Sequence, residues 1–342
     1  MAKILVTGGL GFIGSHTVVE LVNAGYEPVI VDNMANCHIR ILDQLTTIIG
    51  HKPEFHELEL TDAAAVREFV KNQGEISGVI HFAAYKAVGE SVAEPLKYFQ
   101  NNFYSLINLL EAFGDRDTHF VFSSSCTVYG QPDELPVTEH APVKEAMSPY
   151  GYTKQAAEIM LHDVAKANEK LKVIALRYFN PVGAHDSALI GELPIGVPQN
   201  LVPFITQTAI GKREKVTVFG TDYSTPDGSC IRDYIHVVDL AKAHVSALDR
   251  LKNGKQSEGY DVFNIGTGTG SSVLEVVKAF EDSTGEKLNY VLGPRRPGDV
   301  EQVWGDVTKS TEVLGWKAEK DLSEMMSSAW AWEKYLKANP FD

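Results

Sequence analysis

Tyr150 and Lys154, in the stretch SPYGYTK, stand four residues apart. That spacing puts two side chains on one face of a helix. A phenol beside an ammonium can move a proton. The free tyrosine pKa is about 10, and a neighbouring positive charge favours the phenolate. Tyr152 is two residues from Lys154 and points elsewhere, so the spacing selects Tyr150 as the general base. Ser148 suits an N-cap and Pro149 the first helical position. Tyr150 then falls in the first turn, where the helix dipole also favours negative charge. Upstream, FVFSSSCTVYG is a strand-like run that breaks into Ser123, Ser124 and Ser125. A serine at the carboxyl end of a strand can hydrogen-bond a reacting hydroxyl and pass its proton to the tyrosine. Spacing alone leaves open which serine faces the site.

A second constellation binds rather than reacts. Residues 7–15 read TGGLGFIGS, in which Gly9, Gly11 and Gly14 overlap with Gly8, Gly11 and Gly14 as two glycine patterns. Glycines there let the backbone turn tightly, approach a pyrophosphate and pack closely on the next helix. The helix N-terminus then offers free N–H groups to the phosphates. Asp32 ends the next strand-like run, where a carboxylate accepts hydrogen bonds from ribose hydroxyls and repels a 2′-phosphate. NAD is therefore expected over NADP, and Asn33 follows where an NADP enzyme would carry an arginine.

The elements that must position these residues alternate along the first half. KILVT, PVIVDN, GVIHFAA, FVFSSS and KVIALRY are short continuous apolar runs, separated by helical patterns. That alternation predicts βαβ units and a parallel sheet covered on both faces. The fold class expected is α/β: a Rossmann doubly wound parallel sheet with a smaller mixed α/β C-terminal substrate domain. Residues 181–200 are rich in proline and glycine and read as a long loop. DYIHVVDLAKAHVSALDRL and YDVFNIGTG then read as a helix and a strand that rejoin the first sheet. The expected division is residues 1–180 plus about 234–266 for the dinucleotide, and about 181–233 plus 267–342 for the substrate.

Bulk properties narrow the class. The chain has 342 residues, 44% hydrophobic and 22% charged, enough to bury a full core. A net charge of −14 argues against a nucleic-acid partner. Cys37, Cys126 and Cys230 are far apart and form no Cys-x-x-Cys pair, so neither a disulfide framework nor a thiolate metal site is suggested. No apolar stretch approaches a membrane span, and no signal-peptide layout opens the chain. These features predict a cytoplasmic protein without a membrane, nucleic-acid or metal partner.

The glycine loop, Asp32, the serine run and the Tyr150/Lys154 pair, in that order, resemble the short-chain dehydrogenase/reductase superfamily. KILVTGGLGFIGSH, VIHFAAYKAVGESV, Asn101–Asn102, FSSSCTVYG, SPYGYTK, LRYFNPVGAH, RDYIHVVDLA and RRPGD are similar to its extended, nucleotide-sugar branch, and most of all to the UDP-glucose 4-epimerase family. The resemblance spans nearly the whole chain. It implies an NAD-dependent isomerase that interconverts UDP-glucose and UDP-galactose by transient oxidation at C4; acceptance of UDP-GlcNAc and UDP-GalNAc is a further hypothesis, raised by Val303. It also implies a homodimer through helices near 93–114 and 149–169.

Residue by residue, the resemblance gives Ser125, Tyr150 and Lys154 the catalytic roles. NAD would be held by Gly8, Gly11, Phe12, Ile13, Gly14, Asp32, Asn33, Asn36, Cys37, Glu59, Leu60, Phe82, Ala83, Lys86, Asn101 and Tyr178, with Tyr150 and Lys154. The sugar nucleotide would meet Asn180, Asn200, Leu201, Val216, Phe219, Arg232, Arg296, Asp299 and Val303, with Ser125 and Tyr150. Guanidinium groups suit the diphosphate because their fork matches phosphate oxygens. This chain departs from the family pattern at four positions. Phe12 stands for a tyrosine, Cys37 for a phosphate-contacting serine and Glu59 for an adenine-reading aspartate. Val303 stands where a bulky aromatic would crowd an N-acetyl group. Two rival readings are a nucleotide-sugar 4,6-dehydratase or decarboxylase and a non-catalytic NAD-sensing regulator. Dehydratases of the superfamily usually carry Asp-Glu after a threonine, where this chain has Cys126 and Thr127. A regulator would be expected to have lost the Ser/Tyr/Lys set.

Overall fold

Continuous apolar runs build a sheet that is buried on both faces. A computed structural model describes residues 1–296 and 300–341. The first half runs β1 (Lys3–Thr7), α1 (Phe12–Asn23), β2 (Glu27–Asp32), α2 (Arg40–Ile49), β3 (Glu54–Glu57), α3 (Ala63–Asn72), β4 (Gly78–His81), α4 (Val88–Ala93), α5 (Pro95–Phe113), β5 (Thr118–Ser123), α6 (Pro149–Ala167) and β6 (Leu171–Tyr178). The second half runs β7 (Asn180–Val182), α7 (Leu201–Ala209), β8 (Val216–Phe219), β9 (Ile231–Arg232), β10 (Tyr234–His236), α8 (Val237–Lys252), β11 (Tyr260–Ile265), β12 (Ser271–Ser272), α9 (Val273–Thr284), β13 (Tyr290–Gly293), β14 (Gln302–Val303) and α10 (Leu322–Ala338).

Seven parallel strands form the main sheet in the order β11-β6-β5-β4-β1-β2-β3. Successive side chains of a strand face opposite sides. Ile4 and Val6 join one core with α1 and α8, while Leu5 joins the other with α3, α5 and α6. Each such buried aliphatic is worth roughly 1.5–3 kcal/mol relative to exposure, which is why KILVT has no polar alternation. Connections leave β1 toward β2 on one side and reach β4 on the other. The strand order reverses there, which opens the ligand crevice at the carboxyl ends of the strands.

The remaining strands form three small sheets: β7 with β10, β8 with β13, and β12-β9-β14. Helices α7, α9 and α10 cover them around a separate core of Ile205, Val216, Phe280, Met326 and Trp330. Both α9 and α10 start with a capping box, Ser272/Glu275 and Asp321/Glu324, which satisfies first-turn N–H groups at each end. β11 returns from this excursion to pair with β6 over Tyr260–Ile265.

Candidate active site

The glycine loop closes because side chains are absent. Gly8 adopts φ +67° while its N–H donates to the Val31 carbonyl at 2.8 Å. A Cβ on Gly14 would stand 2.2 Å from the Gly8 carbonyl oxygen, and one on Gly8 2.9 Å from the Ala83 nitrogen. Helix α1 therefore starts flush against the loop, with Gly11 as an N-cap that offers no side chain to its first-turn N–H groups. Those free donors at a positive helix end suit a pyrophosphate. Ile13 is buried in the first turn and Phe12 stands half-buried beside it.

Asp32 ends β2 with its carboxylate held in place. It accepts from the backbone N–H of Leu10 at 3.1 Å, from Met34 N–H at 2.9 Å and from the Cys37 thiol at 3.3 Å. Cys37 thus donates to Asp32, and burial, with the carboxylate beside it, pushes its thiol well up. Asn33 donates to Glu59 Oε2 at 2.8 Å, and Thr61 supplies an N–H and a hydroxyl to Oε1, both at 2.9 Å. Burial opposes the charge of Glu59, but these bonds outweigh it and hold the carboxyl below its usual range. Asn36 is exposed in the next turn, and Leu60 is buried with its carbonyl accepting from Asn108. Phe82 and Ala83 leave β4 bonded to Thr7, through its carbonyl at 3.0 Å and its hydroxyl at 3.3 Å. The glycine loop, Asp32, Asn33, Phe82 and Ala83 accordingly gather at the carboxyl ends of β1, β2 and β4.

Two further residues expected at the cofactor make other contacts. Lys86 places its ammonium 3.4 Å from Glu192 and 5.9 Å from the Phe12 ring centroid. Asn200 donates to the same Glu192 oxygen at 2.6 Å, so one carboxylate joins a residue expected at NAD to one expected at the sugar. Asn101 donates to its neighbour Asn102 at 2.9 Å. Asn102, absent from the expected set, is buried; it bonds Tyr85 at both its N–H and its carbonyl, and Thr153 of α6.

Helix α6 starts as its sequence predicts: Ser148 accepts from Gly151 N–H at 3.1 Å and Pro149 fills the first position. Tyr150 is buried, with the Ser125 side chain near enough to its phenol to oppose the effect of that burial. Ser125 caps a short 3-10 turn over Cys126–Tyr129 by accepting from Thr127 N–H at 3.2 Å, and this turn aims it at the tyrosine. Tyr152 lies on another face, exposed, with its ring edge-on to Phe99. Lys154 donates to the Ser123 carbonyl at 2.6 Å and sits 6.0 Å from the Tyr150 ring centroid. Tyr178, on β6, shares a 2.7 Å hydrogen bond with the Ser123 hydroxyl.

One expectation is corrected. The sequence pairs Tyr150 with an ammonium that draws its pKa down; in the structure burial dominates and holds the phenol well above its ordinary value, with the nearby Ser125 side chain opposing it. The same burial lowers Lys154 to about 7, with Glu158 opposing it. Both groups sit where any charge is costly, so an added neighbouring charge shifts them strongly.

On the sugar side, Arg232 forms β9 and donates to the carbonyls of Ile231 and Glu301. Its charge reaches Cys126, directly after Ser125, and its register partner is Val303 of β14. Val303 is buried with Val128, Tyr129, Val137 and Phe179, next to Cys126. Asn180 is tied through its N–H to the Asp233 carbonyl, and Leu201 opens α7. Phe219 is exposed at the end of β8 with the Arg296 guanidinium 5.9 Å from its ring centroid. Val216, two residues earlier, is turned into the second core, so only its backbone is left to meet a ligand. Arg295 pairs with Asp222 at 2.7 Å. Asp299 lies outside the described residues.

Comparison with known proteins follows the same lines. A family model described as GDP-mannose 4,6 dehydratase matches residues 5–329. The chain is 50% identical over 333 residues to UDP-glucose 4-epimerase of Bacillus subtilis, covering 96% of each. It is similar to the crystal structure of UDP-glucose-4-epimerase from Stenotrophomonas maltophila with bound NAD and formylated UDP-arabinopyranose: TM-score 0.95, 44% identity, 99% of each chain. The structure of UDP-glucose 4-epimerase from Bifidobacterium longum in complex with NAD+ and UDP gives a TM-score of 0.91 at 45% identity, again over 99% of each chain.

Proposed function

The chain belongs to the UDP-glucose 4-epimerases of the extended short-chain dehydrogenase/reductase superfamily, and from that premise we propose how its own residues carry the reaction. The protein is an NAD-dependent isomerase of UDP-glucose and UDP-galactose. Tyr150 takes the proton of the sugar 4-hydroxyl, Ser125 lies in the hydrogen-bond path, and Lys154 holds the site's positive charge. When bound, NAD supplies the acceptor and donor of the C4 hydride and the positive charge of its oxidised ring. A positive charge beside a buried phenol lowers its pKa, which offsets the burial that keeps Tyr150 protonated in the protein alone. The 4-keto sugar turns over while the UDP stays anchored; the same hydride would then return to the opposite face of C4, and Tyr150 returns the proton to the C4 oxygen. The observation that carries this reading is the convergence of Ser125, Tyr150 and Lys154 at the end of β5.

The binding roles divide between the two halves. Residues 1–180 with 234–266 hold the cofactor through the Gly8–Gly14 loop and Asp32. Residues 181–233 with 267–342 hold UDP through Arg232, Arg296 and Phe219. Dehydration is disfavoured because the turn after Ser125 consists of Cys126, Thr127, Val128 and Tyr129 and offers no carboxylate. Incubation of the purified protein with UDP-galactose is expected to yield an equilibrium with UDP-glucose and no net NADH. A 4-keto-6-deoxy product, or no conversion, overturns the proposal.

Val303 motivates the finer substrate reading: valine leaves room for the N-acetyl groups of UDP-GlcNAc and UDP-GalNAc. Val303→Tyr is expected to lower kcat/KM for UDP-GlcNAc while sparing UDP-glucose. An unchanged ratio of the two removes the gate.

The quaternary proposal is a homodimer. Val92, Leu96, Tyr104, Tyr152 and Ile159 are exposed apolar residues on α4, α5 and α6, helices that pack on one another, and they support an interface on this side. Sedimentation should give twice the 37.6 kDa chain mass, with Leu96→Lys shifting it toward monomer. A wild-type protein that sediments as one chain contradicts the dimer.

A further inference from the structure

A buried ion pair stands directly behind the proton-transfer residues. Glu158 follows Lys154 by four residues on α6 and is 7% exposed; Arg177 of β6 is 6% exposed. Arg177 Nε donates to the two carboxylate oxygens at 3.0 and 3.2 Å, and Nη2 donates at 2.6 Å. Ser124, wholly buried, donates its hydroxyl to Glu158 Oε1 at 2.5 Å. On its far side Arg177 donates to the Tyr129 hydroxyl at 3.1 Å, and Tyr129 donates to Asn264 at 2.6 Å.

Such a pair is a poor source of stability, because desolvating two charges offsets most of their attraction. Its connections point to another use. Ser124 is the middle residue of the serine run: Ser123 before it holds Lys154, and Ser125 after it meets Tyr150. Arg177 directly precedes Tyr178, whose hydroxyl bonds Ser123. One carboxylate is therefore linked to every part of the proton-transfer site.

We infer that Glu158, held by Arg177, is a positioning residue for proton transfer: it fixes the break of β5 through Ser124 and places a carboxylate one helical turn from Lys154. The inference rests on the roles given to Tyr150 and Lys154 above. The groups facing Lys154 from the packed elements support it. Burial holds His81 of β4 down to about 3, hence neutral, and holds Tyr178 of β6 up at about 12. Tyr150 is likewise held protonated by burial. Tyr129 and Tyr260, beside the ion pair, are also pushed up by burial. Beside these groups lie the paired Glu158 carboxylate and Arg177 guanidinium, 2.6 Å apart. Burial drives Lys154 down, and Glu158 is the group that raises it.

Removing the Glu158 charge leaves Arg177 uncompensated, so Lys154 and Tyr150 both release protons at lower pH. The two titrate as a coupled pair, and both limbs of the kcat profile move together. The test is the pH profile of kcat for the NAD-loaded enzyme, with cofactor content and Tm measured alongside. Glu158→Gln is expected to shift both limbs acidward by roughly one pH unit, the scale of one charge in a buried site. Arg177→Met is expected to shift them the opposite way, and the double variant to return them close to wild type. Ser124→Ala is expected to lower kcat with KM and both limbs unmoved. Opposed shifts in the single variants support the inference. Wild-type limbs in either single variant that folds and retains NAD overturn it. If both single variants fail to fold, the charge-balanced double variant decides: limbs displaced from wild type overturn the inference. Tyr150→Phe in the same series separates the two levels. Turnover retained by that variant removes the underlying mechanism, whereas turnover lost with unmoved limbs elsewhere removes only the role of Glu158.

Discussion

Tyr150→Phe is expected to lower kcat by about 10²- to 10⁴-fold, the usual worth of a positioned acid–base group. Its NAD content and Tm should stay close to wild type. Burial decides the cost. Tyr150 is buried, so removing its phenol oxygen forfeits at most one hydrogen bond's worth, about 1 kcal/mol, and leaves the ring in place. The ring that packs over the crevice remains, and the Gly8–Gly14 loop and Asp32 are untouched. What disappears is the hydroxyl proposed above to exchange the proton of the sugar 4-hydroxyl. Tyr152→Phe provides the contrast, since that ring is exposed and its edge meets Phe99. Its turnover should stay near wild type. Product analysis with UDP-galactose at saturating concentration checks both, and equal losses would undo the assignment.

Gly14→Ala is expected to lose bound NAD and about 1–3 kcal/mol of stability, the common cost of an overpacked site. The added Cβ would stand 2.2 Å from the Gly8 carbonyl oxygen and 2.8 Å from the Gly9 Cα. These are backbone atoms, so relief requires opening the loop between β1 and α1. That movement pulls the first-turn N–H groups away from the pyrophosphate. Gly25→Ala separates clash from chain strain: Gly25 has φ +82° and nothing within 4 Å of an added Cβ. It should cost about 1–2 kcal/mol from left-handed strain and keep its cofactor. Released NAD, measured after denaturing equal amounts of the two variants, tests the difference. A Gly14→Ala protein with full NAD would show that the loop yields.

These two sites differ in how they can be read from the chain. The cofactor loop is local: a glycine spacing between a strand and a helix, then an acid at the end of the next strand. Sheet and loop both follow from runs such as KILVT and TGGLGFIGS. Tyr150 and its cap are local too, because Ser148, Pro149 and the four-residue step to Lys154 fix a helix face. The choice among Ser123, Ser124 and Ser125 is not local. It depends on the turn over Cys126–Tyr129 and on which neighbour each hydroxyl meets across β6 and α6. Glu158 looks like an ordinary helix acid, and only the β6 register brings Arg177 to it. The Tyr150 pKa went the other way for a related reason, since spacing shows a partner but not the water removed around it. Val216 was legible in part: in VTVF, alternation puts Val216 and Val218 inside and leaves Phe219 at the surface. Glu192 sits in a loop without periodicity and carries no local signal.

The pairing of β11 with β6 bears on how the protein is made. Tyr260 lies beside Val173, and Ile265 beside Tyr178, with the whole of β7 to α8 in between. During synthesis β6 emerges first and must wait as an edge strand, its N–H and C=O groups open to any other extended chain. α8, which covers α1, is delayed by the same excursion. The seven-stranded sheet thus cannot finish folding when Ser125, Tyr150 and Lys154 have left the ribosome. It stays open until about residue 265, by which time β7 to β10 have already emerged but α9 and α10 have not.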